Sequence, residues 1–159
     1  MPEQETLERA REDAAEGKSP STQAGEFVRE EIEHVRHGKH GARSPKQAIA
    51  IGLSKARRAG VKLPPPKRSS SSESARKKAR QDEAAARHPH KRSAKRSRAT
   101  SRALKRESRQ SASSSALSRQ AHSAASRRSK ANRSEAAKKA ARTRKRRRAN
   151  GASRRKSRR

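Results

Sequence analysis

Helix signals are densest in residues 38–60, which read GKHGARSPKQAIAIGLSKARRAG. Ser44 is followed directly by Pro45 and, three residues after the serine, by Gln47, which is the pattern of a capping box with proline at the first helical position. Gly60 is placed to act as a glycine C-cap. These signals predict one well-defined helix between Ser44 and Gly60. Its expected apolar face consists of Ile49, Gly52, Leu53 and Ala56.

A second helix is predicted just upstream of this stretch. Ser19 and Pro20 supply an N-cap and a proline for the first turn, and Gly38 supplies a stop. Glu31 falls inside the apolar stripe of this helix, which is an unusual place for a charge. The stripe recurs at helical spacing through Ala24, Val28, Ile32 and Val35, with Phe27 beside it.

Together these helices predict a small helical module at residues 19–63, in which positions 24, 28, 32 and 35 pack against 49, 52, 53 and 56. Gly52 would let the two helices approach closely. Residues 1–18 form an acidic helix with only Leu7 to anchor it, so we expect it to fray. Burying so few large side chains gains little against the entropy of ordering the chain, so the module should be marginal without a partner or self-association.

Residues 15–66, including the quoted stretch and its continuation through Pro64, resemble the signature of a small uncharacterised bacterial family. Members of that family are grouped as a domain of unknown function and are sometimes labelled DNA-binding or plasmid-stabilisation proteins. The resemblance implies a bacterial source. It implies no mechanism and no role for a particular residue.

Composition argues against order in the rest of the chain. Hydrophobic residues make up 26% of 159 residues, Phe27 is the only aromatic residue, and the net charge is +31. The charge is uneven, at −6 for residues 1–33, +8 for 34–66 and +29 for 67–159. Low hydrophobicity with high net charge is typical of disorder.

The sequence therefore predicts a mostly disordered protein with a small all-α N-terminal hairpin of two or three helices. Residues 64–72 form a proline- and serine-rich hinge, and residues 73–159 form a disordered tail rich in arginine, lysine, serine and alanine. Two tail segments, about 73–87 and 134–148, favour helices that should form only transiently, because short isolated helices are marginal in water.

The expected function is DNA binding and condensation without sequence preference, as in a histone-like or nucleoid-associated protein. The tail is similar in composition to linker-histone tails, and arginine and lysine bind phosphates without reading bases. The candidate nucleic-acid-binding residues are Lys46, Lys55, Arg57, Arg58, Lys62, Arg96, Arg98, Arg127, Arg128, Arg144, Lys145, Arg146, Arg147, Arg148, Arg154, Arg155, Lys156, Arg158 and Arg159.

Two alternatives remain open: an RNA- or ribosome-associated basic protein, and an interaction or oligomerisation module at 19–63 that its tail tethers to polyanions. Nothing in the sequence indicates an enzyme, a cofactor or a small-molecule substrate, and membrane binding is disfavoured because the tail lacks apolar residues to insert. The acidic N-terminus lacks the apolar core of a secretory signal, so we expect a cytoplasmic protein at the nucleoid. His34, His37 and His40 suggest solvated histidines at a helix end, with no metal.

Overall fold

A computed structural model describes residues 2–66, 71–88 and 93–156 of the chain. In these residues seven α-helices occur, together with a 3-10 turn at Gln110–Ala112. Two units are distinguished, Met1–Leu117 and Ser118–Arg159. The helices are α1 (Gln4–Ala15), α2 (Pro20–Arg36), α3 (Pro45–Arg58), α4 (Glu73–Arg87), α5 (Ala94–Lys105), α6 (Ser114–Ser126) and α7 (Lys130–Lys156).

The predicted ends of α3 are confirmed. Ser44 Oγ accepts a hydrogen bond from the Gln47 amide at 3.3 Å, whereas the Gln47 side chain accepts from the Arg43 amide at 2.8 Å instead of from Ser44. At the other end Gly60 adopts a φ of +94°, and the Val61 amide donates to the Ala56 carbonyl at 3.1 Å. This is the Schellman arrangement that a glycine C-cap permits.

A first hydrophobic cluster joins α1, α2 and α3. Ala10, Ala24, Phe27 and Ala56 are buried in it, and Leu7 is one of the partly buried residues that pack against it. The acidic first helix is therefore anchored by more than Leu7, and the expectation that it frays does not fit this packing. Alanine at the contact positions lets the helix backbones approach closely enough for a few large side chains to fill the space.

A second cluster is completed by a segment far along the chain. Ala112 is fully buried against Val35, Ala42 and Ala48. Three hydrogen bonds to backbone carbonyls hold residues 104–112 in place: the Gly41 amide donates to Leu104 at 2.9 Å, the Ala42 amide to Ser108 at 3.1 Å, and Arg36 Nε to Ala112 at 2.9 Å. Arg43 also donates to the Glu107 side chain at 3.4 Å. We name residues 104–112 the docking segment.

α4 also packs on the module, against the outer side of α3. Asp82 is only 2% exposed and accepts a hydrogen bond from Ser54 Oγ at 2.7 Å. Arg58 Nε lies 3.3 Å from the same carboxylate, and Ala79 is buried one turn before it. Lys78 Nζ, one turn away on α4, lies 2.8 Å from the same carboxylate. Because a buried charge needs polar partners, the contacts of Asp82 with Ser54 and Arg58 fix α4 against α3.

The prediction of a mostly disordered chain with two or three helices is wrong. Helices extend through the tail, including α4 at the 73–87 segment and α7 across 134–148, both of which had been expected to form only transiently. Large apolar side chains are few in the tail, but alanine, arginine and lysine have high helix propensity. Salt bridges between residues three or four apart, such as Glu83–Arg87 at 2.7 Å, support these helices further.

Two glycine substitutions test the packing of α2 against α3. A Cβ at Gly52 would lie 2.7 Å from the Val28 Cα, whereas a Cβ at Gly25 in α2 would meet nothing within 4 Å. We expect Gly52→Ala to lower the free energy of unfolding by about 1–3 kcal/mol, because the backbone of α2 must shift. Gly25→Ala should raise it by about 0.5–1 kcal/mol, since alanine is the better helix former. Denaturant unfolding measures the free energy of unfolding of each variant. Equal changes in the two variants would contradict the close approach of α2 and α3 at Gly52.

Candidate nucleic-acid interface

α7 is a long helix with basic residues on all sides. Its 27 residues include thirteen arginines and lysines and one acid, Glu135, and a helix of this length spans about 40 Å. The basic side chains described on it are all exposed, and none forms an ion pair with another described residue. Those residues are Lys130, Arg133, Lys138, Lys139, Arg142, Arg144 and Lys145.

The other predicted phosphate-binding residues of the tail are distributed over three places. Arg96 and Arg98 are exposed on α5, which has no buried residue among those described. Arg127 and Arg128 are exposed between α6 and α7. Six residues belong to the C-terminal half of α7: Arg146, Arg147, Arg148, Arg154, Arg155 and Lys156. Arg158 and Arg159 lie outside the described residues.

The predicted residues of the N-terminal module differ in their availability. Lys46 and Lys62 are exposed, and Arg57 is half-buried. Arg58 faces Asp82 of α4. Lys55 is largely buried in an ion-pair cluster, so it is not available to a phosphate.

The cluster around Lys55 joins α2 to α3. Lys55 Nζ lies 2.9 Å from Glu30 Oε1 and 2.8 Å from Glu31 Oε2, and Glu31 has no exposed surface. Burial alone would lower the pKa of Lys55, but the two carboxylates outweigh it and raise this pKa above its usual value. Burial would likewise raise the pKa of Glu30, yet hydrogen bonds from Lys55 and from the Glu3 amide hold it below the usual range. Lys55 and Glu30 therefore stay charged at neutral pH.

A second set of ion pairs ties the beginning of α1 to the end of α2. Glu3 Oε1 lies 2.6 Å from Lys39 Nζ and 2.9 Å from His34 Nε2. The hydrogen bonds from Lys39 and then His34 lower the pKa of Glu3 to about 2. Two of the three histidines expected to be solvated are not, because His34 and His40 side chains are only 13% and 18% exposed. His37 is exposed as predicted.

Several acids of the module thus pair with its own bases, whereas the bases of α5 and α7 whose side chains are described are exposed. Residues 16–68 match a family of unknown function (DUF6496). This confirms the resemblance predicted for residues 15–66. The DUF6496 segment contains α2, α3 and the connection between them, and both α5 and α7 lie beyond it.

No curated protein and no solved structure matches the chain. Among the described residues, no helix is both long and apolar enough to cross a membrane. The likeness to DUF6496 covers residues 16–68, and it brings no activity with it.

Proposed function

We propose that the protein binds duplex DNA without sequence preference, and that the exposed basic side chains of α7 make the main contact. The observation that supports this most directly is the charge of α7, with thirteen bases and one acid and with every described basic side chain exposed. Such a helix has no apolar stripe to bury in the protein. A polyanion is the partner that complements it.

The charge density of α7 suits a nucleic-acid duplex. Duplex DNA carries one charge per about 1.7 Å of its axis, so a 40 Å length presents about 24 phosphates. Binding would release condensed counterions and would relieve repulsion between neighbouring bases on the helix. Arginine, with its planar fork of donors, favours bidentate phosphate contacts. Contacts of this kind position a protein on DNA but carry no sequence information.

The distribution of acids supports assigning the contact to the later helices. Ten of the fifteen acids fall in residues 1–33, and several of them pair with bases of the module, as Glu30 and Glu31 do with Lys55. Basic helices occur in both units, at α5 and at α7. Two separate basic helices can each bind a DNA segment. We therefore propose a role in DNA compaction at the bacterial nucleoid.

The salt dependence of binding tests this proposal. We expect the full chain to bind a duplex with a steep negative slope of log affinity against log salt, and Arg142→Gln with Arg144→Gln to reduce that slope by about 1.8, since each lost phosphate contact removes about 0.9. A matched double variant, Arg11→Gln with Arg29→Gln, removes the same charge from the exposed surface of α1 and α2 and should leave the slope unchanged.

Equal slopes for the two double variants would contradict a contact made by α7. Competition between duplex DNA and structured RNA at matched salt distinguishes the two nucleic acids. If RNA displaces the bound DNA at lower concentration than competing DNA does, the partner of α7 is RNA and not DNA. A shallow slope with strong preference for one sequence would exclude the phosphate-contact mechanism.

A further inference from the structure

Three potential metal ligands converge where α2 ends. Glu31 and His34 are three residues apart on α2, so they share a face of the helix, and His40 comes from the connection to α3. One ligand atom from each of the three lies within 4.8 Å of the others. The Glu31 Oε1 to His40 Nε2 distance is 3.3 Å, which is about the separation of two donors in a tetrahedral zinc site with bonds of about 2.0–2.1 Å.

The two ring nitrogens of His40 face different partners. His40 Nδ1 lies 3.0 Å from the Gly41 carbonyl oxygen, and because a carbonyl only accepts, Nδ1 must carry the proton. Nε2, the other ring nitrogen, lies 3.3 Å from Glu31 Oε1 and is the nitrogen that can bind a metal. Donation from Nδ1 to a backbone carbonyl is also the usual way in which a metal-binding histidine is held.

The two carboxylate oxygens of Glu31 have different surroundings. Oε2 faces Lys55 at 2.8 Å. Both oxygens are buried and accept no hydrogen bond of good geometry from the described residues, and Oε1 is the one that lies nearest His40. One oxygen is therefore matched by an ammonium group and the other is open to a further cation.

The local charge also favours a cation, in contrast to the +31 of the whole chain. Glu3 lies 2.9 Å from His34 Nε2, and Glu30 lies 3.8 Å from His34 Nδ1. With Glu31 these make three carboxylates, against the two ammonium groups of Lys39 and Lys55. The carboxylates of this cluster therefore outnumber its ammonium groups by one.

We propose that Glu31, His34 and His40 bind one divalent cation of the zinc class. Two imidazoles and a carboxylate are ligands that zinc accepts, and three protein ligands leave a fourth position for water. The bound ion would fasten the α2–α3 connection to α2 next to Gly41, whose amide bonds to the docking segment.

Zinc titration of the full-length protein by calorimetry tests the site, with cobalt absorption as an independent measure of histidine ligation. We expect one zinc ion per chain, and we expect His40→Ala to weaken binding by more than tenfold, since even the loss of an outer-shell partner costs roughly 10–100-fold. His37→Ala is the matched control, because His37 is an exposed histidine at the end of the same helix, and it should bind as the unchanged protein does.

Circular dichroism of His40→Ala shows whether the helices persist, so that lost binding can be separated from lost folding. A second variant, Glu31→Gln, should weaken binding as well. The proposal is overturned if the unchanged protein shows no saturable binding at millimolar zinc. It is overturned equally if His40→Ala binds as tightly as His37→Ala, which would assign the metal to histidines elsewhere in the chain.

Discussion

Lys55→Met should destabilise the N-terminal module by about 3–5 kcal/mol, because removing one partner of a buried ion pair leaves an uncompensated charge. Glu31 has no exposed surface and Glu30 is 4% exposed, so neither carboxylate can turn to water without opening the α2–α3 interface. A loss of this size is a large fraction of the stability of a small domain. Urea unfolding followed by circular dichroism measures it.

Lys46→Met provides the matched control, since Lys46 lies on the same helix with its side chain exposed. We expect a change within about 0.5 kcal/mol there, as for most surface substitutions. If Lys55→Met also stayed within that range, the ion pairs to Glu30 and Glu31 would have no structural importance, and Lys55 would return to the set of bases available to phosphate.

Gly41→Ala should release the docking segment. A Cβ at position 41 would lie 1.8 Å from the Glu107 carbonyl oxygen, which is a backbone atom that cannot move alone. We expect a loss of about 2–4 kcal/mol, because the overpacked backbones must separate and the hydrogen bonds of the Gly41 and Ala42 amides are lost with them. Trypsin should then cut faster after Arg106 and Arg109.

Cleavage after Arg142 in α7 serves as an internal reference, because Arg142 lies in the other unit and should be cut at an unchanged rate. Unaltered cleavage at all three arginines, with unaltered stability, would show that the docking segment does not pack at Gly41. Faster cleavage at Arg106 and Arg109 alone would confirm that residues distant in sequence complete the module.

The sequence was sufficient to predict α2 and α3, because their ends are encoded locally. Ser44 and Gly60 act through hydrogen bonds that reach only three to five residues along the chain, and Pro45 acts through its fixed φ. The periodic apolar positions also placed the close contact at Gly52. Signals of this kind do not depend on what the rest of the chain does.

The docking segment and α4 could not be predicted in the same way. Ala112 is an ordinary alanine in a serine-rich stretch, and it becomes a core residue only because Val35, Ala42 and Ala48 leave a space of its size. Asp82 is likewise an ordinary acid until Ser54 and Arg58 face it. The module was predicted to need a partner for stability, and the docking segment and α4 of the same chain supply part of that packing. Self-association of the module stays a prediction.

For the candidate interface, the sequence predicted the bases but not which of them the fold would use internally. Lys55 lies off the apolar face of α3, a position that predicts an exposed base, but the fold places it between Glu30 and Glu31. One signal was available, namely Glu31 within the apolar stripe of α2, since a buried acid requires a cationic partner. The proximity of His40 to that acid depends on the path of the α2–α3 connection, which local patterns do not determine.

The position of the docking segment has a consequence for synthesis of the protein in the cell. A nascent chain that has reached residue 63 already contains both helices of the hairpin, but it lacks the alanine that covers Val35, Ala42 and Ala48. At about 5–20 residues per second, translation needs roughly 2–10 s to deliver residue 112. For that interval the ribosome-bound chain exposes an apolar face between its acidic N-terminal part and its growing cationic part. The nascent chain is therefore most prone to aggregation during these seconds.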